Sequence, residues 1–69
     1  MEFKYKLIYA RAKLNMSQTD LAKSLGVSFQ TINRWENGKV TPTKKAEIQF
    51  DEFCQEHKVL FKESASSEK

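Results

Sequence analysis

The sequence predicts an all-α fold of four short helices. Three observations predict it. The chain has two glycines and one proline in 69 residues, and Gly26, Gly38 and Pro42 fall between segments rather than inside them. Within the segments, apolar residues recur at the i, i+3, i+4 and i+7 spacing of a buried helical face. No stretch alternates apolar and polar residues long enough to make a strand. A chain of this length makes one small domain, which buries only roughly 60% of its unfolded surface and depends on good local structure or a partner.

The first helix is expected over residues 3–13, with Phe3, Leu7, Ala10 and Leu14 on one face. Asn15 and Met16 read as a loop. Ser17 is a good N-cap for a second helix, and Asp20 stands at the capping-box position, where Glu or Gln is the stronger choice. Leu21, Ala22 and Leu25 face inward, and Gly26 stops that helix. Ser28 caps a third helix over 29–37. Ile32 and Trp35 lie on its inner side, and Gln30, Asn33, Arg34 and Asn37 lie on another. Asn37-Gly38 closes it. Thr41 is expected to cap a fourth helix with Pro42 at its first position, where the missing N–H does no harm. That helix reaches about residue 57, with Ala46, Phe50, Phe53, Cys54 and His57 on one face and Ile48 on the other. The polar segment 62–69 is expected to be a disordered tail, which leaves a domain over 1–61.

Composition excludes several classes of function. One cysteine allows no internal disulfide, and with one histidine it cannot close a four-ligand zinc site. Cys54 and His57 share a helical face but amount to two ligands, so no metal and no cofactor are expected. No apolar run approaches the roughly 18–20 residues of a membrane span, and residues 1–4 carry no signal core. The expected location is the cytoplasm. A nucleophilic Cys54 would need a base and an electropositive pocket, and no enzyme is expected. Charge is lopsided. Residues 1–46 hold nine basic and three acidic side chains (net +6), and 47–69 hold three and six (net −3). A basic body suits a polyanion partner; an ordinary solvated surface is the alternative.

The informative stretch is 18–37, QTDLAKSLGVSFQTINRWEN. It resembles a helix-turn-helix. Ala22 stands where two helices cross closely, and Gly26 stands in the turn. Leu21, Leu25, Val27, Ile32 and Trp35 are apolar at the positions that pack the pair. With Trp35-Glu36-Asn37-Gly38-Lys39 and Pro42, the region 5–59 resembles the Xre/Cro-like family, which includes the lambdoid phage repressors. The resemblance implies a lambda repressor-like domain that binds operator DNA, usually as a dimer, and regulates transcription. Family members have five helices. Here the chain turns polar after Leu60 and Phe61, so a fifth helix is expected to be absent or a stub.

Chemistry assigns the third helix separately. The major groove admits one α-helix and displays a distinct donor and acceptor pattern for each base pair. Gln30 and Asn33 are suited to adenine and Arg34 to guanine, with Ser28 and Thr31 as short hydrogen-bonding neighbours. Phe29 either packs on a thymine methyl or closes the edge of the core. The resemblance implies phosphate contacts at Gln18, Asn37, Lys39, Lys44 and Lys45, and a structural ion pair between Arg11 and Glu36. In the family the fifth helix builds much of the dimer contact. Here a homodimer would need a different one, through the fourth helix with Val59, Leu60 and Phe61, or the protein binds as a monomer; folding of Leu60 and Phe61 back onto the first helix is the alternative. Two other functions fit the same fold. One is a protein-interaction module using the acidic face of Glu47, Asp51, Glu52 and Glu56. The other is the DNA-targeting domain of a larger protein.

Overall fold

The computed structural model describes residues 2–61, which form four α-helices and no strand. They are α1 (Phe3–Leu14), α2 (Gln18–Leu25), α3 (Phe29–Glu36) and α4 (Lys44–Glu56). The segment 62–69, expected to be a disordered tail, lies outside the described residues. Among the described residues no helix follows α4, and none is long and apolar enough to cross a membrane.

Three helices start on a hydroxyl. Ser17, Ser28 and Thr43 each accept a hydrogen bond from the backbone N–H three residues on, which satisfies a donor that the first turn leaves without a carbonyl. At α2 the reciprocal bond is present too: the Asp20 carboxylate accepts from the Ser17 N–H at 3.2 Å. These bonds to Ser17 hold the Asp20 carboxyl below its ordinary range.

The start of α4 corrects the expectation that placed Thr41 as cap and Pro42 as first helical residue. Thr43 Oγ1 accepts from the Ala46 N–H at 3.1 Å, so the helix opens two residues later. Pro42 stays in the connection, half-buried, where it lines a shallow cleft with Phe3, Trp35 and Val40. Both threonines satisfy the local capping rule. The placement of Pro42 beside the α1 and α3 aromatics separates them.

All four helices stop the same way. A residue in the left-handed region follows each helix: Asn15 (φ 56°), Gly26 (71°), Gly38 (73°) and Lys58 (59°). The next N–H then reaches back five residues: Met16 to Arg11, Val27 to Ala22, Lys39 to Arg34 and Val59 to Cys54, at 2.8–3.0 Å. This is the Schellman arrangement. Gly26 has nothing within 4 Å of where a Cβ would sit, so its backbone angle rather than lack of space calls for glycine.

The core is one cluster built from every helix. It comprises Leu7 and Ala10 of α1, Leu21, Ala22 and Leu25 of α2, Ile32 and Trp35 of α3, Phe50, Phe53 and Cys54 of α4, and Val59 beyond it. The Phe3 ring meets Trp35 and Phe50 edge-on at 5.4 Å in both cases, which ties the chain start to α3 and α4. Ile48 faces solvent, as its place on the helix requires. The two residues with alternative expectations divide. Phe61 packs back against Tyr9 and Phe50, with ring centroids 5.6 and 6.3 Å apart, while Leu60 is 76% exposed.

Candidate nucleic-acid interface

Burial of Ile32 and Trp35 fixes the rotation of α3. Gln30 and Arg34 are thereby turned away from the core. Phe29, Gln30 and Arg34 are exposed; Thr31 and Asn33 are half-buried at the margin. Phe29 is 48% exposed, on the outer surface beside Gln30 rather than inside the core cluster. Ser28 and Thr31 are partly committed to the helix itself. The Ser28 hydroxyl accepts from the Thr31 N–H at 3.1 Å, and the two hydroxyls lie 2.9 Å apart.

The basic residues named with this helix follow it in the chain. Lys39 follows α3 and is exposed; its backbone N–H closes the helix on the Arg34 carbonyl at 3.0 Å. Lys44 and Lys45 open α4, both exposed. Cations in a first turn oppose the positive end of the helix dipole, so these two positions work against local stability. The same positive end, with two ammonium groups beside it, favours an anion.

Arg11 and Glu36 join α1 to the end of α3. The Arg11 Nε and Nη2 donate to the two carboxylate oxygens of Glu36 at 2.7 and 2.9 Å, a two-pronged pair. Arg11 Nη1 also donates to the Met16 carbonyl at 3.2 Å, so one guanidinium spans three segments. The side chains are 23% and 6% exposed, respectively. The hydrogen bond to Glu36 raises the Arg11 pKa further above its ordinary value, and burial opposes it.

Around this pair lies a chain of amides that the sequence did not reveal. Gln18 Nε2 donates to Glu36 Oε1 at 2.9 Å. Asn33 Nδ2 donates to Gln18 Oε1 at 3.3 Å, and Asn37 Nδ2 donates to Asn33 Oδ1 at 3.1 Å. Asn33 and Asn37 stand four apart on one helix face, the spacing at which side chains meet. The link to Gln18 crosses 15 residues and depends on how α2 and α3 pack, which no local pattern states.

The remaining titratable candidates lie away from this face. Cys54 is buried in the core, and burial pushes its thiol up to about 11, far from a reactive thiolate. His57 caps α4: its Nδ1 donates to the Phe53 carbonyl at 2.9 Å and its ring stacks at 4.3 Å on Phe53. Among the described residues, no group of three or more His, Cys, Asp and Glu side chains is placed to hold a metal ion.

Comparison with known proteins agrees with this geometry. The pattern of the helix-turn-helix family matches residues 7–46, which contain α2, the turn and α3. The chain is 50% identical over 50 residues to an uncharacterized HTH-type transcriptional regulator of Methanocaldococcus jannaschii, an alignment covering 72% of this chain and 76% of that protein. No solved structure matches the chain significantly. With both helices, the turn glycine and the packing alanine in place, the chain belongs to the Xre/Cro-like helix-turn-helix family.

Proposed function

We propose that this protein is a sequence-specific duplex-DNA-binding transcriptional regulator of the cytoplasm, a repressor or small controller protein. The helix at 28–37 enters the major groove. The observation that carries the reading is the outer face of α3. A capped, well-anchored helix presents Gln30, Asn33 and Arg34, which donate or accept hydrogen bonds, with apolar Phe29 beside them. Gln30 reads adenine, Arg34 reads guanine, and Phe29 lies against a thymine methyl. Lys39, Lys44, Lys45, Asn37 and the first-turn N–H groups of α2 at Gln18 hold phosphates, which set register and supply affinity. Arg11 and Glu36 form a structural pair and do not themselves touch the DNA.

Selection of duplexes from a random library at near-physiological salt tests this. An enriched motif supports it; no enrichment over non-specific DNA overturns it. Within an enriched motif, Arg34→Ala is expected to lose about 1–3 kcal/mol and relax one base position. Lys39→Ala is expected to weaken all sequences alike and lower the salt slope by about one unit. Paired half-sites about one helical turn apart would report a dimer. For that dimer, Val59 is buried within its own protomer and Phe61 packs on Tyr9, so Leu60 and the outer face of α4 are the surface left to meet a second copy.

A further inference from the structure

We propose that Glu36 orders a one-way chain of amides across the α2–α3 junction, and that Gln18 and Asn37, as positioning residues, thereby fix Asn33 to read adenine. The inference rests on the reading of α3 as the DNA-reading helix.

The argument starts from a carboxylate, which only accepts hydrogen bonds when ionised. The Arg11 guanidinium, which can only donate, faces both Glu36 oxygens, so both oxygens act as acceptors. The Gln18 group facing it at 2.9 Å must therefore be the amide nitrogen, because the opposite orientation would set two acceptors against each other. That choice turns the Gln18 carbonyl toward α3, where it can receive only a donor. The Asn33 nitrogen supplies it at 3.3 Å. Asn33 is now fixed as well: its carbonyl points toward Asn37, whose nitrogen donates at 3.1 Å. Every donor in the series points toward Glu36, and each bond polarises the next.

The consequence concerns specificity. A free asparagine amide exchanges its donor and acceptor ends by rotating about its last bond, and so meets several base edges. Held at both ends, Asn33 keeps one N–H and one carbonyl lone pair in a set order. Adenine offers the complement, an N7 acceptor beside an N6 donor. Gln18 and Asn37 need not touch a base to determine which base Asn33 accepts.

The experiment uses the whole chain and the motif selected above. Asn33→Ala first identifies the base pair that Asn33 reads, by the loss of preference at one position. Gln18→Met, similar in volume but unable to form either bond, is then expected to reduce adenine preference there from about tenfold or more to a few-fold. The preference at the position read by Arg34 stays unchanged. Asn37→Ala, at an exposed site, is expected to relax the same position, and it keeps the proposal testable if Gln18→Met does not fold. In the free protein, the Asn33 side-chain amide protons are expected to lose exchange protection in both variants by NMR. Uniform weakening on all duplexes with the adenine preference intact would make Gln18 and Asn37 phosphate contacts alone and overturn the proposal. Asn33→Ala that changes no single position would overturn it too, while preference at the Arg34 position would still uphold DNA reading. No preference anywhere in the parent protein would remove both.

Discussion

The pair α2–α3 and the helix α4 face the same problem of ending cleanly, and they solve it with residues of different legibility. In the pair, Ser17 and Ser28 start the helices and Gly26 and Gly38 stop them. Those residue types prefer those positions for local reasons, so the sequence displays them. In α4 the same two devices are present, but Thr43 caps in place of Thr41 and Lys58 takes the left-handed angle. The pair is written in local chemistry, and α4 is placed by what it packs on. Its inner side carries Phe50, Phe53 and Cys54 into the common core, and Val59 and Phe61 close behind it.

The largest test of this contrast lies at the ion pair that anchors the legible region. Arg11→Ala would leave the Glu36 carboxylate, 6% exposed, without its cation, and would free the Met16 carbonyl. Truncating one side of a buried pair costs about 3–5 kcal/mol, and the partial exposure of Arg11 places this one near 3. The expected outcome is a drop of over ~10 °C in the thermal midpoint of a domain this small. An unchanged midpoint would mean that α1 is held to α3 by apolar contacts alone.

The second test separates the two threonines flanking Pro42. Thr43→Ala removes the acceptor for the Ala46 N–H and is expected to cost about 1 kcal/mol in urea denaturation. Thr41→Ala, at an exposed position outside the helix, is expected to stay within about 0.5 kcal/mol. The reverse order would put the helix start back at Pro42.

These cases show what the sequence could disclose. Helix identity, the inward residues Leu21, Ala22, Leu25, Ile32 and Trp35, and the outward turn of Gln30 and Arg34 follow from periodicity, and the structure reproduces them. The Arg11–Glu36 pair entered through family resemblance, since nothing local joins residues 25 apart. The Gln18–Asn33 link entered from neither source. It exists because two helices cross at one angle and bring two amides within 3.3 Å. The fate of Leu60 and Phe61 was equally closed to sequence reasoning. Two adjacent apolar residues in an irregular segment point in different directions, and only the position of Tyr9 and Phe50 selects which one packs.

The smallest effect sharpens the comparison most. Lys58 occupies a left-handed angle that disfavours a residue with a Cβ by about 1–2 kcal/mol. It does so because the Val59 N–H must reach the Cys54 carbonyl at 2.8 Å and Val59 must enter the core, where it is 3% exposed. Lys58→Gly removes the backbone penalty. It also loosens the unfolded chain, which offsets about 0.4–1 kcal/mol of the gain. The net expectation is a stabilisation of up to about 1 kcal/mol, read as a higher urea midpoint at unchanged slope. Gly26→Ala, the opposite change in the legible region, is expected to destabilise by about 1 kcal/mol or more, because the angle at 71° is the same problem approached from the other side. If Lys58→Gly lowered stability instead, the lysine stem would be packing on α4 strongly enough to outweigh its backbone, and the end of α4 would be set by a side chain rather than by the demand of Val59 for the core.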